Sequence, residues 1–207
     1  MFSWASPIGT IHHVSTAAAI VLAAGAGSRF GGQKLLADFH GTPILQFVLN
    51  VAAGANLEPT VVVLGTDAES IVTRLWWRDE VRLVNPEPDT GISGSVRMGL
   101  ASLALTDAER AVVLLGDQPR LSAAQLGAIL AVAPDAARPI VVPRYKGQPG
   151  NPVLLERAAW PLANQLTGDS GMLQIFKSRP ELVRYVDVDG TNPDIDTAAD
   201  LAALNEA

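Results

Sequence analysis

Leu22-Ala-Ala-Gly-Ala-Gly-Ser-Arg-Phe-Gly-Gly-Gln-Lys34 runs directly out of an apolar segment, Ala18–Ala23, that reads as a buried strand. Its four glycines (Gly25, Gly27, Gly31 and Gly32) permit positive φ and let backbone N–H groups approach an anion closely. Arg29 and Lys34 add positive charge to a stretch with no acidic residue before Asp38. A glycine-rich, cationic loop after a first strand is suited to phosphate. It is not a P-loop, because Lys34 is followed by Leu35 rather than by the hydroxyl that would hold magnesium. Nor is it a strict dinucleotide fingerprint. Phe30 stands where the third glycine belongs, and no acid follows at the ribose-binding distance.

Outward from that loop, short apolar runs alternate with longer amphipathic stretches, the pattern of βαβ units. Strands are expected at Thr60–Leu64, Val81–Val84, Ala111–Leu115, Ile140–Pro143, Pro152–Leu155 and Val183–Val188. Helices are expected from Pro43 to Ala53, from Asp67 to Trp76, over Ser93–Leu105 and from Ser122 to Val132. Short helices follow near Glu156–Ala163 and Ser170–Ser178, and Thr197 starts a terminal helix. The whole reads as one three-layer α/β/α domain with a mostly parallel central sheet, residues 16–207. A loosely held extension, residues 1–15, precedes it. No Lys or Arg occurs before Arg29, so the cationic start of a secretory signal is missing from this sequence. The apolar run is far shorter than the ~20 residues that span a bilayer. A cytoplasmic protein is expected.

Composition narrows the function classes. The 207 residues are 48% hydrophobic and 17% charged, which suits a packed globular domain rather than a disordered chain. Fifteen basic against 21 acidic residues give a net charge of −6, which argues against a nucleic-acid partner. With no cysteine, disulfides, thiol catalysis and Cys-ligated zinc are excluded. Two of the three histidines, His12 and His13, lie in the extension and the third, His40, in a turn, which argues against a histidine metal site. Gly91-Ile-Ser93-Gly-Ser95 lacks the second glycine of a nucleophile elbow and has no histidine partner.

A second strand end carries Gly116-Asp117-Gln118-Pro119. In open α/β sheets ligands bind outside the carboxyl ends of the strands. A carboxylate there either caps a turn or holds a cation, and hard oxygen ligands suit Mg²⁺ together with substrate phosphates. Asp194-Ile195-Asp196 could complete such a site or could simply cap the last helix.

Five segments resemble the MobA/MocA-like molybdenum cofactor nucleotidyltransferases. Leu22–Lys34 is similar to L-A-A-G-x-G-x-R-[MF]-G-x-x-K, and Asn85–Gly99, as N-x(5)-G-x(3)-S-x(3)-G, resembles the base-recognition segment. Gly116–Pro119 resembles the metal-binding G-D-x-P, and Gly147–Pro152 the substrate-side G-x-x-G-[HN]-P. Asp194–Leu201 resembles the closing D-I-D-T-x-x-D-L. The resemblance runs in family order over nearly the whole chain and implies a Rossmann-like nucleotidyltransferase fold. It implies transfer of NMP from an NTP to a phosphate-bearing acceptor such as molybdopterin, with Mg²⁺ as cofactor and a molybdoenzyme or its maturation factor as a further partner. The L-A-A-G start resembles the cytidylyl-transferring members, favouring CTP.

The implied roles fall on particular positions. Leu22, Ala23, Ala24 and Gly25 would contact base and ribose, with Gly65, Asn85 and Ser95 also in the nucleotide site. Gly27, Ser28 and Arg29 would cradle the outer phosphates, and Lys34 would neutralise charge at the α-phosphorus. Asp117 and Asp196 would hold the metal. Gly150, Asn151, Pro152 and Asp169 would face the acceptor. One departure stands out: where the family often carries G-D-x-G-[AS]-R, this chain has Gly168-Asp-Ser-Gly-Met172-Leu173, without the arginine. If that arginine holds the acceptor phosphate in the family, then here either the acceptor differs or its phosphate is held otherwise, through Arg179 or Arg144. Some proteins resembling this family are NAD(P)H oxidoreductases of aromatic or quinoid substrates, so the alternative is such an oxidoreductase or a nucleotide-binding protein on the same fold.

Overall fold

The computed structural model describes residues 17–206, apart from Ala26, Ser28 and the side chain of Ser170. The expected extension, residues 1–15, lies outside the described residues, as do His12, His13 and Ser28. In chain order the elements are β1 (Ala17–Ala23), β2 (Asp38–Phe39), β3 (Thr42–Pro43), α1 (Ile44–Gly54) and β4 (Thr60–Leu64). Next come α2 (Ala68–Arg74), β5 (Val81–Val84), α3 (Ile92–Leu103), β6 (Arg110–Leu115) and α4 (Ala123–Leu130). The chain closes with β7 (Ile140–Tyr145), β8 (Gln148–Pro149), β9 (Val153–Glu156), α5 (Leu173–Ser178), β10 (Val183–Val188) and α6 (Ala198–Asn205).

The main sheet has the order β10-β7-β9-β6-β1-β4-β5. β1 lies at its heart, parallel to both β4 and β6. β5 extends the parallel set beyond β4, and β10 runs parallel to β7. β9 crosses the direction, antiparallel to β6 and to β7, and so does the short β8, which folds back on β7. Alternation along β1 divides the core. Ala18, Ile20 and Leu22 face α3 and α5, while Ala19, Val21 and Ala23 face α1 and α4. These two apolar layers make the α/β/α sandwich. No helix among the described residues is long and apolar enough to cross a membrane.

Local differences from the sequence reading have identifiable causes. Residues 38–43 form a small hairpin, with positive φ at His40 (49°) and Gly41 (82°) serving the two-residue turn. Pro43 stands at the N-cap of α1 rather than inside its first turn. The helix after Asp67 stops at Arg74, because Leu75 is extended, which leaves Trp76 exposed and Trp77 donating its indole N–H to Val72 O at 3.0 Å. The segment after β9 is 3-10, Arg157–Gln165, with Pro161 inside it and unable to donate to an α-helical ladder.

Close packing of α3 on β1 makes a sharp test. A Cβ on Gly99 would lie 2.5 Å from Ile20 Cγ2, and Ile20 is fully buried and β-branched, so it cannot turn away. Gly99→Ala gains up to ~1 kcal/mol of helix propensity but should lose more to overlap, a net cost of about 1–2 kcal/mol. Gly127 in α4 is exposed with no atom within 4 Å of its notional Cβ, so Gly127→Ala should raise stability. Thermal melts of the two variants should move in opposite directions.

Candidate active site

β1 delivers the glycine-rich loop at the carboxyl end of the sheet. Gly27 takes φ 58° and accepts from Phe30 N at 2.9 Å, and Lys34 N donates to Gly32 O at 2.9 Å, folding the loop back on itself. A short 3-10 turn then carries Lys34 inward, so that its side chain is only 12% exposed. The Lys34 ammonium donates to Asp117 Oδ2 at 2.6 Å and lies 3.8 Å from Asp196 Oδ1. Arg29, on the solvent side, pairs with the other oxygen of Asp196 at 3.1 Å.

Three separate segments place these groups. Gly116 N donates to Leu22 O at 2.9 Å, continuing the β1–β6 pairing up to Asp117. Asp117 O in turn accepts from Ile195 N at 3.1 Å, which ties the C-terminal segment to the same strand end. A capping box of Thr197 and Asp200 opens α6, and the Asp200 carboxylate also accepts from Asp196 N at 3.1 Å. These bonds hold Lys34, Asp117 and Asp196 in one cluster beside the loop.

A polar chain leads away from the cluster. Asp194 accepts a short hydrogen bond from Gln118 Nε2, and Gln118 Oε1 accepts from Asn192 Nδ2 at 2.9 Å. Asn192 Nδ2 also reaches Asn151 O at 3.2 Å, and the Tyr145 hydroxyl donates to the same carbonyl at 2.8 Å. Asn192 Oδ1 is buried and has no hydrogen-bond partner among the described residues. Burial of its carboxyl pushes Asp194 above the ordinary aspartate range, with the Asp117 and Asp196 charges adding to it and Gln118 and Lys34 opposing. Gln118 and Asn192 were not singled out from sequence. Gln118 follows the marked aspartate, a usable signal, whereas nothing local marks Asn192.

Two hollows flank the cluster. One, about 400 Å³, opens on the loop side against Gly27, Gly31, Gly32, Thr66 and Asp67. The other, about 440 Å³, lies across Leu22 and is bounded by Gly150, Asn151, Asp169 and Asp194. Leu22, Ala23 and Ala24 are buried at the end of β1 and Gly25 is exposed. Gly65 sits against them: a Cβ there would lie 2.6 Å from Ala24 O. Asn85 and Ser95 are buried and bonded to each other (Nδ2 to Oγ, 3.1 Å), and neither lines these hollows. Their geometry holds the turn before α3 in place. Pro152 is buried and outside both hollows. Arg144 is held by Asp187 through two 2.9 Å bonds and Arg179 by Glu181, and neither lines the second hollow.

Residues 19–184 match the MobA-like NTP transferase domain. The chain belongs to that family. A curated relative, the nicotine blue oxidoreductase of Paenarthrobacter nicotinovorans, is 27% identical over 89% of this chain and 94% of its own. The crystal structure of Rv0371c from Mycobacterium tuberculosis H37Rv has a TM-score of 0.83 and 31% identity, covering 94% of this chain and all of that one. Rv0371c in complex with manganese gives 0.80 at 30% identity, covering 93% of this chain and 99% of that one. The family contains nucleotidyltransferases that use divalent metals, so the donor set matters here. Asp117 and Asp196 converge on one cation, the Lys34 ammonium, and offer only hard oxygen donors. The described residues contain no cluster of three metal-ligating side chains. Two carboxylates are of the donor type that a hard divalent ion takes, and such an ion would draw its remaining ligands from a phosphate substrate and water.

Tyr145 gives this side of the MobA-like domain a titratable probe. Burial pushes its phenol up to about 12, against a smaller opposing effect of Asn192. A raised folded-state value means that the stabilisation is complete below the unfolded value of about 10 and is lost as pH rises towards about 12. Stability should therefore fall across that window, and Tyr145→Phe should flatten the fall. Thermal melts against pH, read beside tyrosinate absorbance, provide the check.

Proposed function

We propose that this chain transfers a nucleotidyl group from a nucleoside triphosphate to a second small molecule with release of pyrophosphate. The observation that carries the reading is the convergence of Lys34, Asp117 and Asp196 beside a glycine-rich loop at the sheet's carboxyl end. In this reading Gly27 and Arg29 take the outer phosphates, and Lys34 offsets negative charge growing on the α-phosphate. Asp117 and Asp196 would hold Mg²⁺ or Mn²⁺, which supplies charge neutralisation at the triphosphate when bound. An oxygen of the acceptor forms the new bond to the α-phosphorus as the bond to the β-phosphate oxygen breaks. Pyrophosphate leaves with that electron pair. Such transfer depends mainly on positioning and charge stabilisation, and a phosphate nucleophile needs no general base. CTP is the favoured donor, on the L-A-A-G start of the loop, and molybdopterin is the acceptor that the family resemblance offers.

A second reading has its own support: an oxidoreductase of ring-bearing substrates, favoured by the nicotine blue relative and by the largely apolar hollow across Leu22. Pyrophosphate release from each NTP with Mg²⁺ and molybdenum cofactor, run beside NAD(P)H oxidation, separates the two. CTP should give the fastest release. Lys34→Ala should lower turnover about 100-fold or more with the fold intact, and Asp117→Asn should lower turnover far more than nucleotide affinity. Unchanged pyrophosphate release in Lys34→Ala would refute the assignment, and NAD(P)H oxidation without pyrophosphate release would favour the second reading.

A further inference from the structure

The hollow across Leu22 is walled by bulky apolar side chains, where the loop-side hollow is walled mostly by glycine backbone that leaves N–H groups accessible to an anion. Its walls are Ile92, Val96, Val113, Met172, Leu173 and Phe176, and its ionisable lining groups are two carboxylates, Asp169 and Asp194. No Lys, Arg or His lines it among the described residues. The arginines that could have turned towards it are engaged elsewhere. Arg97 donates to Leu166 O at 2.7 Å, Arg144 is held by Asp187 and Arg179 by Glu181. Lys34 and Arg29 are held by Asp117 and Asp196. Leu173 is 47% exposed and stands on the rim of the hollow.

Charge decides what such a hollow accepts. A phosphate monoester inside it would be desolvated against apolar walls, with two carboxylates and no cation to meet it. A flat uncharged ring buries its faces against the apolar walls and turns hydroxyl or amino donors towards Asp169 and Asp194. We propose that this cavity selects its ligand by an uncharged, ring-shaped body bearing hydrogen-bond donors, and discriminates against anions within the cavity. The inference rests on reading the cavity as the second-substrate side. An acceptor phosphate, where there is one, lies outside it, towards Lys34. Leu173 is then the specificity-determining residue.

A matched fluorescent pair tests this without nucleotide, so that its failure and a failure of nucleotidyl transfer are seen separately. The probes are 4-methylumbelliferone and its phosphate ester, which share one ring. Titrations run in EDTA at about pH 6.5, where a phosphate monoester with its second ionisation near 6 is anionic. The wild-type protein should bind the neutral ring at least about tenfold more tightly than the ester, a difference of ~1.4 kcal/mol. Leu173→Arg should shrink or reverse that ratio, and its exposed position leaves the fold intact, as a thermal melt would verify. Equal or tighter binding of the ester to the wild type would overturn the proposal. So would a ratio unchanged by Leu173→Arg, or no binding of the neutral ring.

Discussion

The Lys34 ammonium, 2.6 Å from Asp117 and 3.8 Å from Asp196, is the contact on which the site's geometry depends. Without a cation between them, two carboxylates brought this close would repel and resist the approach of the C-terminal segment to the sheet. With it, residues 83 positions apart in the case of Lys34 and Asp117 become neighbours. The supporting hydrogen bonds follow from that demand. Gly116 N on Leu22 O fixes the strand end, Ile195 N on Asp117 O fixes the tail, and the Thr197–Asp200 box aims Asp196. The ammonium holds the place that a divalent ion would share, so a metal-bound triphosphate would draw Lys34 off Asp117 towards phosphate. Positioning and charge relief are thus built into one contact.

Across Leu22 the protein changes character. The loop side is walled mostly by glycine backbone with Gln33, Thr66 and Asp67, whereas the opposite hollow offers apolar side-chain walls and two carboxylates. The chain Asp194–Gln118–Asn192–Asn151 joins the two sides, so the loop carrying Asn151 is anchored to the strand end that carries Asp117.

Much of this was legible in the chain. Runs such as Thr60–Leu64 and Ala111–Leu115 are apolar on both faces because both faces are covered by helices, so they read as buried strands without ambiguity. The glycine-rich loop announced itself by its composition and its two cations. The direction of β9 did not, because Val153–Glu156 is buried on both sides whether it runs parallel or antiparallel. Asn85 and Ser95 carry family-motif spacing, yet in space they bond to each other, an exchange that spacing cannot reveal. Asn192 has no local signal at all. Leu173 was visible only as a missing arginine, and its place on a cavity rim required the third dimension.

On the proposed reading, Asp117 and Asp196 would together accept a divalent ion carried in with a triphosphate, displacing Lys34. Anomalous diffraction from crystals grown with Mn²⁺ and a non-hydrolysable CTP analogue measures this directly. The expected result is one manganese peak within bonding distance of both carboxylates and of the α-phosphate, with the Lys34 ammonium moved from Asp117 to phosphate. A manganese peak away from Asp117, or Lys34 still paired to Asp117 with the triphosphate bound, would contradict the account.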